Sequence, residues 1–345
     1  MAESMPVLVN YAPQPGSVEL RAIARPALGP RDVLLRVDAV GVCGSDVHQW
    51  MGSHSWQVNY PCVLGHEFTG TIEAVGAGVE RFEPGERVVS ETAAVIDEAS
   101  PFTRQGLYQL DPSRLGFGYG VDGAMASHVV TRARTLHRIP DALEPEVAAI
   151  TEPCCVAYSA VCQTRSVRPG DHVLVLGPGP IGMLCAMMAK LAGAGHVAIV
   201  GTAADERRLA LATEVGLDEA LVGNADAHVA RLGDGLGVEV SIDAAGVSAA
   251  LETAIRLTRP AGTILKVGWG REPLGFSLDP LVQKAITLKG SFSHNWPVWE
   301  RVIRLLSSGQ FDPRPLISLV TSLEQWHDAF SGMHDGTYMK AVLRP

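Results

Sequence analysis

The chain has 345 residues, 47% of them hydrophobic and only 19% charged, so it can bury a large core and is long enough for two domains. A formal net charge of −9 argues against a nucleic-acid partner, which wants a basic surface. No run of about 20 apolar residues suggests a membrane helix, and the start MAESMPVLVN lacks the features of a secretory signal, so the cytoplasm is the expected location.

Up to about residue 150 the sequence is rich in Gly and Pro with short apolar runs. DVLLRVDAVGVC and GTIEAVG alternate as half-buried strands do, and PGERVVS reads as a turn feeding another strand. An antiparallel, barrel-like β domain is expected here. The character changes near Pro169. PGDHVLVLG, HVAIVG, VEVSIDAAG and AGTILKVGWG read as strands, alternating with the helical stretches GPIGMLCAMMAKLAGAG, DERRLALATEVG and SAALETAIRLT. That alternation predicts a doubly wound parallel sheet, an α/β fold. From about Trp296 an amphipathic helix, WPVWERVIRLLSSG, precedes a closing strand, YMKAVLRP.

Two groups of residues carry chemistry. GPGPIG supplies Gly177, Gly179 and Gly182 in GxGxxG order, after a strand and at the opening of a helix. In that context the glycines permit a tight turn and a close approach of backbone to a pyrophosphate, and the helix start offers unpaired N–H groups to it. The acid that normally holds the ribose hydroxyls of NAD is missing: Gly201 and Thr202 stand there, followed by Asp205, Arg207 and Arg208. The cofactor reading leans to NADP, whose 2′-phosphate a guanidinium can bind; Asp205 on a longer loop is the NAD alternative.

The second group is a set of metal-ligand types. GVCGSDVH places Cys43, Ser45, Asp46 and His48 together, VLGHEFTG adds His66 and Glu67, and TEPCC adds Glu152. The six cysteines (Cys43, Cys62, Cys154, Cys155, Cys162, Cys185) form neither a CxxC pair nor a disulfide framework, so a metal site must also use His or carboxylates. Catalytic zinc takes three protein ligands of these kinds and keeps one position open.

In GVCGSDVHQW, PCVLGHEFTGTIEAVG, TEPCCVAYSA, VLVLGPGPIGM and NWPVW the chain resembles the zinc-containing medium-chain alcohol dehydrogenases, closest to their sorbitol (polyol) and threonine dehydrogenase branch. The resemblance implies a GroES-like β-barrel catalytic domain over residues 1–155 and 296–345. A Rossmann NAD(P)-binding domain over 156–295 would interrupt it, with the active site in the cleft between them. It implies that Cys43 and His66 are ligands of one catalytic zinc, with Glu67 or Glu152 as the carboxylate, and that Asp46 orients the histidine. Ser45 would take the proton of a zinc-bound alcohol and pass it by the cofactor ribose toward His48 as hydride moves to the nicotinamide. Gly177, Gly179, Pro180, Ile181, Gly182, Gly201, Thr202, Arg207, Val267 and Gly268 fall in the cofactor positions.

The four positions that hold a structural zinc in many relatives are Asp97, Ser100, Thr103 and Asp111 here, so that metal is expected to be absent. Asp97 and Asp111 are expected to pair with Arg104 or Arg114. Trp50, Phe117, Tyr119 and His294 are candidate substrate residues. Polyol enzymes tend to carry an arginine and a tyrosine where Ser293, His294 and Asn295 stand. The implied activity is oxidation of a secondary alcohol, polyol or sugar-like, with a threonine or amino-alcohol substrate as the alternative and a zinc hydrolase much further behind. A homodimer or homotetramer through the Rossmann sheet edges completes the expectation.

Overall fold

The computed structural model describes residues 4–345, which divide into two units. The first comprises the described residues up to Glu152 together with His294–Pro345; the second is Pro153–Ser293.

In chain order the first unit opens with β1 (Ser4–Asn10), β2 (Val18–Ala24), β3 (Asp32–Gly41), β4 (Cys62–Val63), β5 (Glu67–Val75), β6 (Arg87–Ser90), β7 (His128–Arg132) and β8 (Leu136–Arg138). The second holds β9 (His172–Leu176), β10 (His196–Gly201), β11 (Glu219–Val222), β12 (Val238–Asp243), β13 (Thr258–Lys266) and β14 (Thr287–Gly290). The chain then returns with β15 (Ile317–Ser322) and β16 (Lys340–Arg344).

In the first unit β2-β1-β4 form a small sheet. A larger one runs β15-β16-β3-β5-β6-β8, with β7 also on β3. Pairing is antiparallel except for β15 with β16. Alternate residues of β3 and β5 drive this sheet: Leu35, Val37, Phe68 and Ile72 bury in one cluster with Leu136, Phe330 and Leu343. The amphipathic helix read from the tail spans Trp296–Ser307 and buries Val298, Trp299, Val302, Ile303 and Leu306, as its period requires.

The second unit is a six-stranded parallel sheet in the order β11-β10-β9-β12-β13-β14. Numbered within the unit this is 3-2-1-4-5-6, the doubly wound dinucleotide-binding order. β9, β10 and β12 are almost wholly buried, which is why they read as continuous apolar runs. Two strands that the sequence pattern does not reveal complete the sheet. β11 (EALV) and β14 (TLKG) lie at its two edges and fully bury none of their residues.

Candidate active site

The two glycines near the His–Glu pair have separate causes. Gly65 has φ +95, and a Cβ there would lie 2.9 Å from the Met125 amide nitrogen, so only glycine lets β5 start where it does. Gly41 pairs with Glu67 across β3 and β5, and a Cβ on it would come within 2.3 Å of Glu67 Oε2. Cys43 precedes the short helix Gly44–Trp50, and its amide donates to Asp46 Oδ2 at 2.9 Å, which fixes the turn that carries the thiol.

The ligand atoms of Cys43, His66 and Glu67 all lie within 4.8 Å of one another. His66 and Glu67 are buried, and Asp46 has no exposed surface. Asp46 Oδ1 lies 3.8 Å from His66 Nδ1, near enough to act through charge but beyond hydrogen-bond reach. Burial pushes the Asp46 carboxyl above its usual range, against the pull of His66. Burial works against charge on His66, yet Cys43 and Asp46 outweigh it and hold the ring well above the usual histidine range. His66 Nδ1, Asp46 Oδ1 and Ser45 Oγ are buried polar atoms with no hydrogen-bond partner among the described residues. A cysteine sulfur, an imidazole and a carboxyl group converging beside orphaned polar atoms fit a zinc ion.

One member of this group went unforeseen. Lys340, on β16, is 3% exposed; its Nζ donates to Glu67 Oε1 at 2.7 Å and to the Val42 carbonyl at 2.8 Å. Burial opposes its charge, but Glu67 and Cys43 hold its pKa above the usual lysine value. The available signal was a lone lysine among the apolar residues of YMKAVLRP.

Glu152 stands apart from the converging three. Its Oε1 accepts from His294 Nε2 at 2.9 Å, and His294 Nδ1 accepts from Trp299 Nε1 at 2.7 Å. Burial pushes the Glu152 carboxyl up, but the hydrogen bond from His294 leads the effects that outweigh it and hold it low.

The remaining candidates fall in different places. Ser45 is half-buried, and His48 is exposed with Nδ1 3.0 Å from Ser53 Oγ. Partial enclosure of its ring, aided by His334 and His54, lowers His48 from the usual histidine value. Phe117 is a core side chain, 2% exposed and edge-on to Phe68 at 5.4 Å. Trp50 is half-buried and edge-on to Trp326 and Phe330, each 6.2 Å away, and to His327 at 5.3 Å. Tyr119 Oη accepts from Arg114 at 2.9 Å. His294 is occupied at both ring nitrogens, by Glu152 and Trp299.

In the lobe Ser100 caps the helix Pro101–Arg104, accepting from the Phe102 amide. Asp97 takes the Ala99 amide. Asp111 takes the amide and hydroxyl of Ser113 and is lowered first by the Ser100 hydroxyl, where an arginine partner was expected. No group of three metal-ligating side chains forms there among the described residues.

In the second unit GPGPIG joins β9 to the helix Pro180–Leu191. Gly177 has φ +101, and a Cβ would meet the Ala245 amide nitrogen at 2.8 Å. A Cβ on Gly182 would meet the Gly177 carbonyl at 1.9 Å, whereas one on Gly179 would meet nothing within 4 Å. Two glycines thus pack the turn and the middle one leaves open space at a helix start, a cradle that suits a pyrophosphate. Pro180 and Ile181 are half-buried in the first turn of that helix. Past β13, the amides of Val267 and Gly268 both donate to the Asp243 carbonyl, at 2.9 and 2.8 Å. After Gly201 the amide and hydroxyl of Thr202 donate to Asp205 Oδ2 at 2.9 and 2.8 Å. Arg208 lies 3.6 Å from Asp205 Oδ1, and Arg207 is exposed.

Residues 29–141 match the alcohol dehydrogenase GroES-like domain, and residues 180–308 match the zinc-binding dehydrogenase family. A sorbitol dehydrogenase of Halalkalibacterium halodurans is 35% identical over 99% of each chain. The chain belongs to the zinc-containing medium-chain alcohol dehydrogenases. This dehydrogenase is also 31% identical to the D-arabitol-phosphate dehydrogenase of Enterococcus avium, over 99% of this chain and 98% of the other. Its fold matches a putative zinc-binding dehydrogenase from Sinorhizobium meliloti 1021, solved bound to NADP, with a TM-score of 0.90 and 27% identity over 99% and 100% of the two chains. The mixed α/β architecture, the GroES-like and Rossmann parts and the sorbitol-like branch read from the sequence all hold for this dehydrogenase.

Proposed function

We propose that this dehydrogenase moves hydride between a secondary hydroxyl of a polyol or sugar-like compound and NAD(P), with one catalytic zinc per chain and a preference for NADP. The observation that carries the reading is the buried convergence of Cys43, His66 and Glu67 in a chain that also builds the open Gly179 cradle. The polyol names of its relatives support the substrate class.

Bound zinc supplies a Lewis acid for the substrate oxygen, and bound NAD(P) supplies the hydride acceptor. The chain does the rest. Asp46 sets its carboxyl group beside the His66 ring, and Lys340 holds Glu67 by a hydrogen bond. Ser45 offers a buried hydroxyl without a partner among the described residues to receive the alcohol proton. His48, lowered from the usual histidine value, is neutral near pH 7 and so able to accept that proton at the outer end of the relay. Asp205 is engaged by Thr202 and Arg208, while Arg207 stays exposed; this supports NADP, whose 2′-phosphate suits a guanidinium.

The lobe of Asp97, Ser100, Thr103 and Asp111 is proposed to keep its path through its own hydrogen bonds without a second zinc. Six reduced thiols support a cytoplasmic location. Edge strand β14, with exposed Leu278, Val282 and Leu288 around it, is the proposed face of a homodimer or homotetramer. Initial rates on polyols, inositols, aminocyclitols and threonine, with NAD and NADP in separate runs, test the reading. A polyol with NADP should give the highest kcat/KM; threonine in first place would sink the substrate assignment, and no NAD(P)-linked turnover at all would sink the function.

A further inference from the structure

The chain leaves the first unit after Glu152 and re-enters it at His294, and these two residues are hydrogen-bonded to each other. His294 is 1% exposed and both of its ring nitrogens are used. The indole of Trp299 is a donor only, so Nδ1 must be the accepting nitrogen and the ring proton sits on Nε2, facing Glu152. The segment is fastened on either side. Ser293 adopts φ +56, a left-handed backbone that a non-glycine residue keeps only when its surroundings hold it there. The Asn295 side-chain Nδ2 donates to the Gly106 carbonyl at 2.9 Å, and the Trp296 backbone amide donates to Tyr108 Oη at 2.6 Å.

Glu152 is nevertheless close enough for its charge to bear on both His66 and Glu67. A centre that bound Cys43, His66, Glu67 and Glu152 together would be a closed four-ligand site of the structural type; a catalytic zinc needs three protein ligands and a free position. We propose that His294 is a positioning residue that holds Glu152 off the metal, with its tautomer set by Trp299, and so reserves the open coordination position for substrate. The inference rests on the zinc reading of the Cys43, His66 and Glu67 group.

The test is zinc release from the holoenzyme to a chelator, followed with the absorption spectrum of the cobalt-substituted protein. His294→Phe should slow zinc release by about tenfold, the low end of what changes behind a metal ligand produce. It should alter the cobalt bands as a carboxylate joins the metal, and lower kcat. Adding Glu152→Gln should return release to the rate of Glu152→Gln alone, because the two residues act as one unit. Trp299→Phe keeps the ring but removes its N–H, and should shift release in the same direction to a smaller extent; it serves if the His294 variant does not fold. Unchanged or faster release in the variants would overturn the role of His294, as would a slowdown that persists in the double variant. Wild-type protein that takes up no zinc at Cys43 would refute the underlying reading instead.

Discussion

Lys340 and Glu67 form a buried ion pair, so removing either partner strands a charge. Lys340→Met should destabilise the zinc-free protein by about 3–5 kcal/mol in urea unfolding. The loss should be smaller in the zinc-loaded form, where the metal compensates the same carboxylate. Equal losses in both forms would show that Glu67 does not face the metal. The thiols give a second prediction. Burial pushes Cys62 and Cys185 up to about 12 and Cys162 up to about 11, so at pH 8 they stay protonated and slow to react. Alkylation of the zinc-free protein at pH 8 should therefore mark Cys43, which is half-buried, and zinc should protect it. Mass mapping that finds Cys162 or Cys185 modified first would contradict this. Cys43, His66 and Glu67 were legible because each sits in a short motif. Lys340, and the pairing of His294 with Glu152, were not, because the partners lie 273 and 142 residues apart and no local pattern joins them.

The glycine turn between β9 and its helix shows how an element serves a ligand. Gly182→Ala places a methyl against the Gly177 carbonyl and should lower stability by about 1–3 kcal/mol, visible in the melting temperature. Gly179 has φ −73 and open space, so Gly179→Ala should fold normally yet weaken cofactor binding by about 1.5 kcal/mol, close to tenfold. Fluorescence titration with NADPH separates the two; equal stability losses would mean that the middle glycine serves packing alone. The strand–turn–helix was readable because β9 is a continuous apolar run. β11 and β14 were not, because edge strands such as EALV and TLKG fully bury none of their residues and lose the buried pattern. Phe117 shows the opposite limit: an aromatic beside glycines reads equally as a pocket wall or as core, and only packing against Phe68 decides.

At the scale of the whole molecule, one unit gathers the metal-ligating side chains and the other builds the dinucleotide turn, although the first is assembled from both ends of the chain. The tail joins the first unit because β16 pairs with β3, and the same strand delivers Lys340 to Glu67. In the lobe Asp97 and Ser100 take nearby backbone amides and Asp111 takes Ser113, while Thr103 Oγ1 is buried without a hydrogen-bond partner among the described residues. Metal content per chain tests this account most directly. Elemental analysis of the purified protein should find one zinc per chain, falling close to none in Cys43→Ser with loss of alcohol oxidation. Two zinc ions per chain, or undiminished zinc and turnover in Cys43→Ser, would contradict it.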